Sequence, residues 1–450
     1  MKIATLKYRE VTQTSIFKPN YHLNIGKRSL VNLLNKGVKC VPLGNIVQKV
    51  YTGGIFKRVF VKSEKTGIPY ISAQNMMTTN PSKFAKLISR KYTPRQNDMT
   101  LKENTILVSC AGTVGNIRLI DASFKNIIGS QDIIRVIPNS PDYGFIYAYL
   151  SSNVCYNYIQ SLIYGSVVPR IEPNAVANIP IPIFPESKQQ EIHNLIVESA
   201  NLRVEANRLL EEAKNAFIKN QELKTDLTKT KIIDFSLLRE SNRFSGYYNL
   251  SLGAYYEEQI KKKKYISLFE CIEDIFTSGR DKRNYSGKKG IPFLSNTDLS
   301  NINPFKNCNY ILRCLNEKSI IKENMILTGR VGQDTVGQFY LPYKSILGSI
   351  ASDNVIRIVV NEKIEKEYIF AFMSSDIGKH IVKRRKTGVG QPFITEDMLR
   401  NIPILLLPDV DRENIVQKIK KYAILLDSAL IKETQAIHLV EKEISLWQQS

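Results

Sequence analysis

The run SKQQEIHNLIVESANLRVEANRLLEEAKNAFIKNQELKTDLT, from Ser187 to Thr228, contains no glycine and no proline. Apolar or small residues recur within it at Ile192, Leu195, Ser199, Leu202, Ala206, Leu209, Ala213, Ala216, Leu223 and Leu227. Alternating steps of three and four residues are the seam of a long helix that packs on another helix, narrower than the apolar face of an ordinary globular helix. Pro185 precedes the run, Ser187 is placed to cap it, and Gln190 follows three residues later in capping-box spacing. At 1.5 Å per residue such a helix is roughly 60 Å long.

Asp411 to Trp447 has the same character. Its seam runs Ile415, Ile419, Tyr422, Leu426, Ala429, Glu433, Ala436, Val440, Ile444 and Leu446. Glu433 interrupts this seam as Asn220 interrupts the first, and polar seam residues fix register at a cost in stability. Two single-seam helices in one chain most simply pack on each other, as a spacer.

The segments before the two helices repeat one another. Gly67-Ile68-Pro69-Tyr70-Ile71-Ser72 returns as Gly290-Ile291-Pro292-Phe293-Leu294-Ser295, an offset of 223 residues. Lys102-Glu103-Asn104 returns as Lys322-Glu323-Asn324, and Gly129-Ser130 with Asp132 and Arg135 as Gly348-Ser349 with Asp353 and Arg357. FIYAYLSS (Phe145–Ser152) matches YIFAFMSS (Tyr368–Ser375), and Asn178-Ile179-Pro180-Ile181 matches Asn401-Ile402-Pro403-Ile404. Order and spacing hold throughout, so the chain is a tandem duplication.

Short β-like runs such as Ile68–Ser72, Thr105–Cys110, Gly115–Ile120 and Ile133–Ile137 alternate with turn residues, and helical patterns are brief, at Ser29–Asn35 and Tyr143–Ile163. The expected fold is α+β: a twisted β-sheet unit with short helices, present twice and each time followed by a long helix, with the long helices packed on each other. The boundaries are residues 1–186 for the first globular domain, 187–228 for the central helix, 229–240 for a linker, 241–409 for the second globular domain and 410–450 for the C-terminal helix.

Composition narrows the function. Sixty-three basic against forty-two acidic residues in 450 give a net charge of +21, which points to a polyanionic partner. No run is apolar for the eighteen or more residues that a membrane span needs. The first residues, MKIATLKYREVTQTSIF, lack the apolar core of a secretory signal, so a cytoplasmic location is expected. The six cysteines form no C-x-x-C pair and the four histidines are scattered, so no metal site is expected. Neither a phosphate-binding G-x-x-x-x-G-K-[ST] loop nor a dinucleotide G-x-G-x-x-G turn is present. Asn303-Pro304-Phe305 only faintly resembles the N-P-P-[YF] pocket of amino-methyltransferases and reads better as a turn. No catalytic residue is expected in this chain.

The positive signals are basic loops at matching places in the two copies. Thr52-Gly53-Gly54 is followed by Lys57, Arg58 and Lys62, with Gln74 and Asn75 beyond; Thr277-Ser278-Gly279 is followed by Arg280, Lys282, Arg283 and Lys288. A second loop precedes each I-P-I strand: Gly165, Ser166 and Arg170 in the first copy, and Arg384, Arg385, Lys386, Thr387, Gly388 and Gln391 in the second. Arg and Lys neutralise phosphates or fork onto a guanine edge, glycine lets the backbone come close, and amides read base edges.

Two copies of G-I-P-[YF]-[IL]-S, a T-G-x-x-Q or G-S-x-x-P loop, an N-I-P-I strand and a long helix resemble the specificity subunit of type I restriction–modification systems, over residues 14 to 448. That resemblance implies two target-recognition domains, each reading one half of a bipartite, asymmetric site in double-stranded DNA, and long helices paired as an antiparallel coiled coil that sets the unread gap. It further implies docking of two methyltransferase subunits on the helices, at a surface including Leu195, Leu202, Leu209, Ile419, Leu426 and Val440, with restriction subunits joining the complex. S-adenosylmethionine, ATP and magnesium would then belong to those partners, with no cofactor in this chain. The alternatives are a type II system with a fused nuclease–methyltransferase partner, a stand-alone enzyme acting on nucleic acid, and an RNA-binding or scaffold protein.

Overall fold

The computed structural model describes residues 8, 11–12, 17–124, 126–139, 143–165, 167–219, 243–280, 283–287, 289–314, 316–333 and 335–449. The first repeat runs α1 (Ile25–Asn35), β1 (Cys40–Pro42), β2 (Val47–Thr52), β3 (Gly67–Ile71), β4 (Lys86–Ser89), β5 (Ile106–Ser109), β6 (Ile117–Leu119), β7 (Ile128–Gly129), β8 (Ile133–Pro138), α2 (Tyr143–Ser151), α3 (Asn153–Ser161), β9 (Pro180–Pro182) and α4 (Glu186–Lys219). The second runs α5 (Leu252–Lys261), β10 (Tyr265–Ser267), β11 (Ile272–Thr277), β12 (Ile291–Leu294), β13 (Asn309–Ile311), β14 (Met325–Gly329), β15 (Phe339–Tyr340), β16 (Ile350–Ala351), β17 (Val355–Val360), α6 (Lys366–Ser374), α7 (Asp376–Arg385), β18 (Pro403–Leu405) and α8 (Asp409–Gln449).

Strand for strand the two repeats have one topology. A four-stranded antiparallel sheet has the order β2-β8-β5-β6 in the first and β11-β17-β14-β15 in the second. Three-stranded sheets β4-β3-β7 and β13-β12-β16, and two-stranded pairs β1-β9 and β10-β18, complete each copy. Even the register shifts correspond, between Val47 and Lys49 and between Ile272 and Asp274. The G-I-P motif is the middle strand of the three-stranded sheet. Its parallel neighbour pairs only from Tyr70 or Phe293 onward, so Pro69 and Pro292 lie where the strand has a single partner, a place that tolerates a missing N–H.

The FIYAYLSS and YIFAFMSS motifs form α2 and α6, buried nearly all round, as helices without a polar face must be. Both end on a serine that starts the next helix: Ser152 Oγ accepts from Cys155 N (3.3 Å), and Ser375 Oγ from Gly378 N (3.1 Å). Sequence reading saw Tyr143–Ile163 as one helical stretch; the serine cap divides it. One glycine pair escaped the sequence comparison. A Cβ on Gly26 of α1 would stand 2.3 Å from Tyr158 N of α3, and one on Gly253 of α5 would stand 2.1 Å from His380 O of α7, so each repeat crosses two helices at a glycine.

Contacts divide the chain into two units, residues 1–204 with 428–450, and residues 205–427. The boundary falls inside both long helices. In the first unit, Phe184 meets Trp447 (ring centres 4.9 Å apart) and Glu198 meets Lys432 (2.7 Å), so one chain position rises as the other falls and the pairing is antiparallel. In the second unit, Glu205 reaches Lys421 (4.0 Å) and Glu212 reaches Lys418 (3.0 Å), again antiparallel.

The seam itself is shifted from the sequence reading at every second position. Buried residues on α4 include Ile192, Ile196, Ser199, Arg203, Ala206, Leu210, Ala213 and Phe217, a regular heptad alternation, with Asn207, Leu209 and Lys214 also buried beside it. Leu195 and Leu202 are half-buried beside it. On α8 the expected seam is buried from Ile415 to Ile444 except at Leu426, which is half-buried, and Leu446 is half exposed. The helix begins at Glu186, so Ser187 lies inside the first turn and does not cap it. Pro185 O instead takes Lys188 N (2.9 Å) and Gln189 N (3.0 Å). Asn220, Leu223, Leu227 and the 229–240 linker lie outside the described residues.

Glu433 has a partner that the sequence did not reveal. In the first unit, Arg203 Nη2 stands 2.5 Å from Glu433 Oε2, and the Tyr147 hydroxyl of α2 donates to Oε1. All three are buried. Burial pushes the Glu433 carboxyl up, but Arg203, the Tyr147 hydroxyl and Arg118 together hold it below its ordinary value. At the matching helix position of the second unit, Phe370 stacks on Tyr422 of α8 with ring centres 6.0 Å apart. One crossing is polar and the other apolar.

Candidate nucleic-acid interface

Sheet register brings the sequence-predicted loops of each unit to one end of its four-stranded sheet. In the first unit Thr52 pairs with Ile134, and Ser109 with Ile133, so the loops that leave β2 and β5 and the loop that enters β8 emerge together. In the second unit Thr277 and Thr328 both pair with Ile356, and Gly329 with Val355, which gathers the corresponding three loops.

Beneath this end sits a buried arginine in each unit. Arg135 donates to the carbonyls of Ile133 (2.8 Å), Gly129 (2.7 Å), Met99 (3.2 Å) and Ser130 (3.3 Å). Arg357 donates to those of Val355 (2.6 Å), Ser319 (3.3 Å), Ser352 (3.0 Å) and Ala351. Burial pushes the Arg357 guanidinium down to about 10, still cationic at neutral pH. These cages fix the bends that lead into β8 and β17.

The cages also correct the internal alignment. Ile128-Gly129-Ser130 corresponds to Ile350-Ala351-Ser352, because β7 and β16 pair alike with the G-I-P strands, and Ser130 N and Ser352 N bond Ile71 O (3.0 Å) and Leu294 O (2.9 Å). The Gly348-Ser349 match is an accidental dipeptide three residues early. Gly53 likewise has a packing reason: a Cβ there would lie 3.4 Å from the Arg135 guanidinium and 3.1 Å from Met99 Cγ.

Lys57, Arg58, Lys62 and Gln74 are exposed in the first unit. Arg58 Nη1 donates to the Tyr70 hydroxyl at 3.2 Å. Asn75 is half-buried and its side-chain amide donates to Phe84 O (3.2 Å). In the second unit Arg280 and Arg283 both approach Asp353, Arg280 at 3.4 Å. The surrounding residues Ser278, Phe293, Arg313, Asn316 and Asp353 line a cavity of about 40 Å³. Sequence reasoning missed Arg313 and Asn316, whose only signal was their place in the segment where the two copies differ. Lys282, Lys288 and Ser166 lie outside the described residues.

The loops before the I-P-I strands are equivalent hairpins. Tyr164 exchanges both backbone bonds with Arg170 (2.9 Å each), and Thr387 with Phe393 (3.0 and 2.8 Å). Gly165 and Gly388 open them with the same φ of +87°, a left-handed conformation that favours glycine. Arg170 and Gln391 are exposed, and Lys386 and Thr387 half-buried. Arg330 N bonds Asn354 O (2.8 Å) and Ile394 N bonds Arg330 O (2.9 Å), which fastens the hairpin of the second unit beside the Asp353 loop.

Arg384 and Arg385 face inward. Arg384 Nη1 meets Glu257 Oε2 at 2.7 Å, Arg385 Nη2 meets Glu257 Oε1 at 2.8 Å, and the Arg384 guanidinium lies 4.1 Å over the Tyr248 ring. Burial lowers the Arg384 guanidinium and Glu257 opposes that. The pair locks α7 to α5. Of the helix positions expected to meet partners, Leu209, Ile419 and Val440 are buried in their unit's core, while Leu195, Leu202 and Leu426 are half-buried.

Among the described residues no group of three or more His, Cys, Asp or Glu side chains could hold a metal ion, and no helix is long and apolar enough to cross a membrane. Burial pushes the Cys110 and Cys271 thiols up to about 11, far from a reactive thiolate at neutral pH.

Comparison with known proteins adds an independent line. Residues 35–209 match the type I restriction modification DNA specificity domain. A specificity subunit of the type I restriction enzyme MjaVIII from Methanocaldococcus jannaschii is 22% identical over 421 residues, covering 90% of each chain. The solved type I S subunit from M. genitalium overlaps 92% of this chain and 96% of its own at 16% identity and a TM-score of 0.36. An HsdS subunit from Thermoanaerobacter tengcongensis overlaps 91% and 96% at 14% identity and a TM-score of 0.28.

Proposed function

We propose that this chain is a specificity subunit of a type I restriction–modification system, in which each unit reads one half of a bipartite site in double-stranded DNA. The observation that carries the proposal is the repeated gathering of basic and amide-bearing loops at one end of each four-stranded sheet. Lys57, Arg58, Lys62, Gln74 and Arg170 would serve the N-terminal half-site, and Arg280, Arg283, Gly388 and Gln391 the C-terminal one. Phosphate contacts set position and edge contacts set sequence. The loops differ between units (Thr52-Gly53-Gly54 against Thr277-Ser278-Gly279), which favours two different half-sites.

The antiparallel helices are proposed to set the number of unread base pairs between the half-sites and to dock two methyltransferase subunits, to which restriction subunits add. The chain is proposed to be non-catalytic and cytoplasmic. S-adenosylmethionine, ATP and magnesium would be bound by the partner subunits, where methyl transfer, ATP hydrolysis and cleavage take place. The family match favours this arrangement over a type II system.

Selection of duplexes from a random library by the complex of this chain with its methyltransferase tests the reading. Two sequence blocks at a constant separation are expected. A single block, or equal competition by duplex RNA, whose deep groove hides base edges from side chains, would overturn it.

A further inference from the structure

Arg58 and Arg283 arise from the equivalent loops after β2 and β11, and each rests on the aromatic residue at one position of the G-I-P strand. The Arg58 guanidinium lies 5.8 Å from the centre of the Tyr70 ring, and that of Arg283 lies 4.7 Å from the centre of the Phe293 ring. Tyr70 pairs with Ile128 and Phe293 with Ile350, so the rings occupy the same place in their sheets. Both rings are buried and form fixed seats. The arrangement persists although Arg58 precedes its ring by twelve residues and Arg283 by ten. A guanidinium over a ring face keeps its N–H fork in a defined plane.

Arg283 is held further. Its guanidinium pairs with Asp353 Oδ1. Asp353 takes Arg280 on its other oxygen, but the Arg280 side chain is 84% exposed against 27% for Arg283. Arg280 is therefore the solvent-facing member of the pair and Arg283 the enclosed one. A guanidinium carries five N–H donors, so one edge bound to Asp353 leaves donors for two acceptors on a ligand. Guanine O6 and N7 match that fork. The adjoining cavity of about 40 Å³ has space for a few waters, each needing roughly 10–15 Å³, and none for an extruded base. Reading from the groove fits this geometry.

We infer that Arg58 and Arg283 are matched specificity residues, each reading a guanine in its own half-site from an aromatic seat, with Asp353 as the positioning residue for Arg283. This rests on the DNA-recognition reading above and names the residues and base that it leaves open.

The experiment uses the full chain in complex with its methyltransferase and the selected duplex, with each guanine of the site replaced singly by 7-deazaguanine, which lacks the N7 acceptor. For the wild type, one replacement per half-site weakens binding on the order of 10-fold or more. Arg283→Ala abolishes the penalty at the C-terminal guanine and retains the one in the other half, which also shows that the variant is folded; Arg58→Ala does the converse. Asp353→Asn selects a relaxed base at the same C-terminal position, with discrimination reduced about 5- to 150-fold. The inference is overturned if a half-site has no guanine, if Arg283→Ala keeps every wild-type penalty, or if it weakens scrambled duplexes equally. Absence of any bipartite site for the wild type would instead refute the underlying DNA-recognition reading.

Discussion

Glu433→Leu strands a cation. Arg203 and Glu433 are both buried, 2.5 Å apart, with the Tyr147 hydroxyl on the second carboxylate oxygen. Removing Glu433 leaves the Arg203 guanidinium desolvated without its counter-ion and deprives Tyr147 of its acceptor, and a broken buried pair costs about 3–5 kcal/mol. Arg203→Met strands the carboxylate instead, at similar cost. Replacing both removes two desolvation penalties together, and buried pairs exchanged for apolar residues come out near neutral or more stable by about 1–4 kcal/mol. Phe370 stacked on Tyr422 at the matching helix position in the second unit shows that this fold accepts an apolar crossing there. The expected cycle therefore has two costly single variants and a nearly neutral Arg203→Met/Glu433→Leu double, with a coupling of several kcal/mol. Because a two-unit protein need not unfold in one step, the assay is native-state hydrogen exchange of the α4 and α8 amides in the first unit. Single costs below about 1 kcal/mol, or costs that simply add in the double variant, would refute the reasoning.

The same network gives a pH dependence with a defined sign. Glu433 is held below its ordinary value of 4.5, so its contribution is complete above that value and is lost as the pH falls through the lower folded-state value. The first unit of the wild type is therefore expected to lose stability on acidification below about pH 4.5. The double variant should lack this part of the acid slope, and an unchanged slope would mean that Glu433 does not titrate there. Gly253→Ala should destabilise the second unit by about 1–3 kcal/mol or more, since its Cβ meets the backbone of α7 at 2.1 Å, and thermal unfolding of the variant checks this. Lys57→Ala with Arg58→Ala should weaken only the N-terminal half-site in duplex selection, and a loss at both half-sites would contradict the modular reading. Deleting seven residues within 200–218, one heptad of the seam, should keep both half-sites and alter the gap between them; an unchanged gap would remove the helix from that role.

The duplication and the two long helices were legible because they rest on periodicity and order, which a sequence displays directly, whereas the antiparallel direction of their pairing came from the family resemblance. What escaped were partners chosen in three dimensions. Arg203 fills a seam position that apolar counting skips, so Leu202 was read in its place. Glu433 was visible as an interruption, but its partners lie on α4 and α2. Arg384 and Arg385 have the composition of a basic loop, yet Glu257, some 127 residues upstream, turns them inward. Gly348-Ser349 resembled Gly129-Ser130 as letters, while the carbonyl cage around Arg357 selects Ser352. Asp353, noted only as a repeat match, takes its part in the candidate site because sheet register brings it to Arg283.

The most direct test of the account is methylome sequencing of cells that express this chain with its methyltransferase neighbour, beside cells that lack only this chain. A modified bipartite motif with a fixed unread gap, present only when the chain is present, is the expected result. A soluble complex of the two proteins that yields no chain-dependent modification would contradict it.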